Sequence, residues 1–319
     1  MLLRVLFLLG PLMATVGHVP AAGAAPLAWV HVGDPGNAAN SDGFGAVAVS
    51  YRIAETEVTN AQYAAFLNVV DRDGNNVLAL YDNMMGLAAS GGIERDLLNA
   101  PGSRYVVRAG RGAWPVNFVT FDDTLRFANW MNNGEGTGDT ETGAYDLASG
   151  GSTPVARSPG ATVFLLSEQE WYKAAYFDSV TDSYHLFPGD SADPMLCAVP
   201  AGGANLANCD FVVGAPVDVG SYPGSAGPSG TFDQGGNVFE WTEGLQGAGL
   251  RVYRGGDWES APVNLSSAAR HATDPALAFK SVGFRMGSVI PEPSTGVLVA
   301  LGCAFLGGRA RAGHRRPAG

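Results

Sequence analysis

The chain has 319 residues, with 44 glycines, 19 prolines, only 15% charged side chains and a formal net charge of -11. Such a composition suits a loop-rich compact domain and argues against a helical bundle or coiled coil. An acidic surface repels phosphate backbones, so nucleic acid is not an expected partner.

In chain order, the single basic residue Arg4 precedes an apolar run over 5–16, and Ala22-Gly23-Ala24 supplies a small-residue exit. This order is that of a secretory signal peptide covering 1–24, with cleavage expected after Ala24. A short segment over 25–43 leads into one domain over 44–289, in which no repeat or linker marks a division. Residues 46–53 alternate weakly and are expected as a strand. Thr59 caps a helix over 60–70 with Tyr63, Phe66, Leu67 and Val70 on one face. Thr120 or Asp122 caps a second, with Leu125, Phe127, Ala128 and Met131 spaced for burial and Gly134 as its stop. Ser167 and Glu170 form a capping box for a third, ending near Phe177. Beyond Asp178 only turns and short strands are expected, among them 252–254 and 282–286.

Cys197 and Cys209 lie in this later stretch, twelve positions apart. In an oxidising compartment a disulfide is the default reading, contributing on the order of 3 kcal/mol; two free buried thiols are the alternative. Cys303 falls in the last 30 residues, where Pro291-Glu292-Pro293 precedes an apolar stretch over 295–308 and the basic residues Arg309, Arg311, Arg315 and Arg316. The stretch is shorter than the roughly 20 apolar residues of a comfortable bilayer span. The order over 290–319 resembles a PEP-CTERM sorting tail, against the alternative of a weak anchor behind a Pro-containing linker. That resemblance implies an exosortase-type partner, transient membrane association and removal of the tail. The expected location is the cell surface or the space beyond it.

Seven short motifs occur in order across the domain. They are Glu57-Val58-Thr59-Asn60, Pro115-Val116-Asn117, Phe127-Ala128-Asn129-Trp130 and Ser167-Glu168-Gln169-Glu170-Trp171, followed by Gly235-Gly236-Asn237-Val238-Phe239-Glu240-Trp241, Arg254-Gly255-Gly256-Asp257-Trp258 and Gly283-Phe284-Arg285. Together they resemble the formylglycine-generating enzyme family, also called the sulfatase-modifying factor domain. The resemblance implies an α+β fold: a single loop-rich C-type-lectin-like domain. From the residues themselves, Trp171, Trp241 and Trp258 are suited to anchoring loops, and Arg254, Arg270 and Arg285 to tying them through carboxylates or carbonyls.

The resemblance also implies calcium, held by Gly235, Gly236, Val238 and Glu240, and less cleanly by Asn205, Leu206, Asp210 and Val212. The competing reading is that Glu240 caps local backbone or pairs with an arginine. Family oxidases use copper on two cysteines between the Arg-Gly-Gly and Gly-Phe-Arg motifs, but residues 256–283 contain none. Leu265, Ser266 and Ser267 stand near those positions, and a hydroxyl cannot replace a soft thiolate. Formylglycine-generating activity and copper are therefore not expected. Outside the leader and tail only His31, His185 and His271 remain, none paired at helical ligand spacing. The favoured reading is an exported, non-oxidase binding module for a surface polysaccharide or peptide, with 257–271 as its surface. An enzyme of altered chemistry at that place and a purely structural matrix component are the alternatives.

Overall fold

The computed structural model describes residues 25–148, 156–189 and 191–290. The leader over 1–24 and the tail motif Pro291, Glu292 and Pro293 lie outside the described residues.

Three helices begin where the sequence places their caps. Thr59 Oγ1 accepts from the Gln62 amide and Gln62 Oε1 accepts from the Thr59 amide, opening Asn60–Val70. Thr120, not Asp122, opens Phe121–Asn132, because Asp123 closes the reciprocal bond. Asn133 ends that helix one residue before Gly134, which sits at φ +83°. Ser167 and Glu170 cap Glu168–Tyr176. The first two helices bury Tyr63, Phe66, Leu67, Leu125, Phe127 and Ala128, while Val70 and Met131 stay partly exposed at the margin. Rings from both helices meet edge to face, with Phe66 and Phe127 at 5.3 Å, and Phe127 also meets Phe284 at 5.3 Å.

Two four-stranded sheets carry the rest of the frame. One is antiparallel, in the order Trp29–Val32, Tyr51–Ala54, Met286–Val289 and Val163–Leu165. The other runs His271–Thr273, Leu250–Arg254, Phe239–Gln246 and Val282–Gly283, with its last pair parallel. The expected strand over 46–53 forms only from Tyr51, because the Val47 amide donates to Asn37 Oδ1 and its carbonyl accepts from the Gly36 amide. The expected strand over 282–286 divides in two. Val282–Gly283 pairs in one sheet and Met286–Val289 in the other, so Phe284 and Arg285 cross between them and point inward. Cys197 and Cys209 form a disulfide with Cα atoms 4.9 Å apart, tying the short parallel strands Leu196–Cys197 and Leu206–Ala207 to the following loop.

Candidate functional site

Antiparallel pairing aligns three aromatic residues across neighbouring strands. Trp241 is registered with Tyr253, and Tyr253 with His271. Directly paired side chains share a face of the sheet, so the rings form a ladder. Trp241 meets Tyr253 at 5.5 Å and 75°, and Tyr253 stacks on His271 at 5.7 Å and 20°. Phe239, two residues before Trp241, lies on the same face at 5.1 Å from both Tyr253 and His271. The inner end is fixed: Trp241 is buried, its Nε1 donates to the Val119 carbonyl at 3.0 Å, and Phe121 packs edge-on at 6.2 Å. The outer end, Phe239, Tyr253 and His271, is half-buried and reaches the surface.

Charged groups border this outer end. Burial holds the His271 pKa below the usual imidazole value; Asp257 opposes that and Arg254 adds to it. His271 is therefore a neutral ring at pH 7, and its buried Nε2 has no hydrogen-bond partner. Burial and then Asp257 raise the Tyr253 phenol above its ordinary value, so it stays a donor. Asp257 is 5% exposed, and its Oδ1 accepts from Ser260 Oγ at 2.6 Å and from the Glu259 amide at 3.1 Å. Glu259 pairs with Lys280 at 2.6 Å on the rim. The half-buried rings can stack on a ring-shaped ligand, and the Tyr253 hydroxyl can exchange hydrogen bonds with it.

The middle of the expected surface is closed. Leu265 is buried at the end of the turn Pro262–Leu265, and its carbonyl accepts from the Tyr176 hydroxyl at 3.2 Å. Ser266 Oγ donates to the Val263 carbonyl at 2.7 Å. The Ser267 amide donates to the Leu186 carbonyl at 2.9 Å, and its own carbonyl accepts from Arg254 at 3.1 Å. Of residues 257–271, His271 is the outer rung of the ladder and Asp257 acts on it electrostatically, whereas Leu265, Ser266 and Ser267 are tied into the neighbouring backbone. Cys197 and Cys209 are consumed by their disulfide, so the described residues offer no thiolate for copper. Among the described residues no group of three or more His, Cys, Asp or Glu side chains is placed to hold a metal.

Of the residues implied for calcium, Glu240 pairs with an arginine. Glu240 is buried; its Oε1 accepts from Arg285 Nη2 at 2.7 Å, and its Oε2 accepts from Arg285 Nε at 2.6 Å and from Trp171 Nε1 at 2.7 Å. A cation at that carboxylate would meet a guanidinium. Gly235, Gly236 and Val238 lie in the same packed loop, where a Cβ on Gly236 would stand 2.4 Å from the Asn208 carbonyl oxygen. At the second place, Asn205 Oδ1 is a buried acceptor without a partner, and the Leu206 amide donates to Ser225 Oγ at 2.7 Å. Asp210 and Val212 are exposed, with their amides bonded to the Ser260 and Cys209 carbonyls. The side-chain oxygens offered there are Asn205 Oδ1 and the exposed Asp210 carboxylate, against the six to eight oxygens that calcium takes.

The three arginines tie loops as their sequence positions suggest, with Arg254 and Arg270 both bound to Glu168 at 2.7 and 2.8 Å. Phe239 and Tyr253, by contrast, are not legible from sequence as one exposed aromatic face. The alternation of Phe239 with Trp241 was the available signal, but the register that adds Tyr253 and His271 depends on pairing between distant segments.

Comparison with known proteins bears on the family and the fold. Residues 44–288 match the family described as sulfatase-modifying factor enzyme 1-like domain. Hercynine oxygenase of Mycolicibacterium smegmatis is 27% identical over 257 residues, covering 71% of this chain and 50% of that protein. Hercynine oxygenase of Mycolicibacterium thermoresistibile is 25% identical over 268 residues, covering 74% and 50%. The chain thus spans about half the length of these relatives. Among solved structures, CarF superposes with a TM-score of 0.56 at 22% identity, covering 83% of this chain and 99% of CarF. Treponema denticola variable protein 1 gives a TM-score of 0.51 at 16% identity, covering 82% and 95%. Both likenesses concern the fold.

Proposed function

This chain belongs to the sulfatase-modifying factor enzyme 1-like domain family, and within it we propose a binding module without formylglycine-generating activity, whose ligand face is Phe239, Tyr253 and His271. The observation that carries the reading is the ladder itself, which runs from a buried, hydrogen-bonded Trp241 to a half-buried outer end beside Asp257. A rigid aromatic face binds with little loss of side-chain freedom. The formal charge of -11 disfavours polyanions and leaves neutral polysaccharide, or an uncharged or basic peptide segment, as the ligand class. In this reading the leader exports the chain, and an exosortase-type system sorts it to the surface through its tail.

Binding is tested by calorimetric titration of the purified protein with a panel of neutral and uronic-acid oligosaccharides. Saturable binding to neutral members, weakened in Tyr253→Ala, supports the reading; no binding by any member, with unaltered peptide binding in that variant, defeats it. A second reading, an enzyme of altered chemistry, is favoured by the likeness to hercynine oxygenases. Release of an oxidised product from a cysteine peptide supplied with copper or iron and oxygen would establish that reading instead.

A further inference from the structure

We infer that the guanidinium of Arg285 takes the place of a divalent cation beside Glu240, so that the loop from Gly235 to Trp241 folds and stays folded without calcium. The argument starts from donors and acceptors. Arg285 is fully buried where the Gly-Phe-Arg segment crosses between the two sheets, and it spends its donors on that loop and its neighbours. Two go to both oxygens of Glu240, at 2.6 and 2.7 Å. Others reach the carbonyls of Ala54 at 3.2 Å, Glu55 at 3.1 Å and Phe232 at 2.8 Å. A planar guanidinium can hold a bidentate carboxylate and several carbonyls at once, which is the joining role a calcium ion performs with six to eight oxygens.

Charge points the same way. Glu57 is buried beside the pair, with its Oε2 4.0 Å from Arg285 Nη2 and without a hydrogen-bond donor of its own, while its Oε1 accepts from Asn237 Nδ2 at 3.1 Å. Asp233 also acts on Arg285 electrostatically, so one guanidinium faces three carboxylates, Glu240, Glu57 and Asp233. A divalent ion within bonding distance of Glu240 would have to displace the guanidinium from both of its bonds to that carboxylate. Trp171 Nε1, at 2.7 Å, fills the remaining approach to Oε2.

The test is thermal unfolding of the purified protein in EDTA and in millimolar calcium at matched ionic strength. A calcium site a thousandfold below the free ion concentration would raise Tm by about 10 °C. The inference expects no saturable rise, and less than one tenth of a calcium ion retained per chain after desalting. Glu240→Gln should lower Tm by roughly 10 °C, equally in EDTA and in calcium, because it strands a buried cation. If wild type does gain stability from calcium, Glu240→Gln and Asn205→Ala locate the ion. A gain lost in Asn205→Ala but kept in Glu240→Gln leaves the inference standing, and a gain lost in Glu240→Gln overturns it. Should Glu240→Gln fail to fold, a gain that Asn205→Ala retains overturns it as well, and a gain that Asn205→Ala loses upholds it.

Discussion

Tyr253 stacks on His271 with ring centroids 5.7 Å apart and planes 20° from parallel, and this pair forms the outer half of the ladder that begins at buried Trp241. Because the pair is fixed from beneath, its rings offer a surface that needs no rearrangement to receive a ligand. Tyr253→Ala should weaken binding at least tenfold, about 1.4 kcal/mol, while Tyr253→Phe keeps the stack and loses only hydroxyl contacts. Calorimetric titration of both variants checks this.

The same stack sets a pH dependence. His271 has a folded-state pKa below its unfolded value, so the folded state resists protonation. Its stabilising effect is complete above the unfolded pKa of about 6.5 and is lost as pH falls from there toward the lower folded value. Relative to wild type, His271→Gln should therefore lose less stability between pH 8 and pH 5, as measured by urea unfolding.

Asp123 titrates in the opposite sense. Burial lifts its pKa to about 6, against the bonds from Thr120 and the pull of Arg126. A raised carboxylate pKa favours folding below the unfolded value of about 3.9, and that advantage disappears as pH rises through 6. Asp123→Asn can keep an acceptor for the Thr120 amide while removing the buried charge. It should flatten the stability profile between pH 4 and pH 7, which the same unfolding series would show.

Glu168 holds two arginines, Arg254 at 2.7 Å and Arg270 at 2.8 Å, and Arg254 is buried. Glu168→Gln leaves Arg254 without its carboxylate and should cost roughly 3 kcal/mol. Because Arg254 also donates to the Ser267 and Ala269 carbonyls, protection of those amide segments from hydrogen exchange should fall in the same variant.

How much of this was legible in the sequence depends on the range of the interaction. The caps at Thr59 and Ser167 were readable because each partner sits three residues away. The choice of Thr120 over Asp122 was harder, since both are good caps and only the reciprocal bond to Asp123 decides. The crossing at Phe284 and Arg285 was hidden, because a run from Val282 to Met286 reads as one strand until its two ends find different sheets. The loss of the oxidase cysteines was plain, since it concerns identity alone. The packing of Leu265, Ser266 and Ser267 was not, since it depends on Leu186 and Tyr176, distant in the chain. For the same reason no local motif shows the pairing of Glu240, since its partner Arg285 lies 45 positions away.

The central claim is that ligand binds at Phe239, Tyr253 and His271 without being oxidised, and nuclear magnetic resonance titration of their ring signals tests it most directly. With a neutral oligosaccharide, the account expects saturable shifts concentrated on these three rings and an unaltered ligand spectrum after prolonged incubation in air. Shifts confined to other parts of the domain, or a ligand converted to an oxidised product, would contradict it.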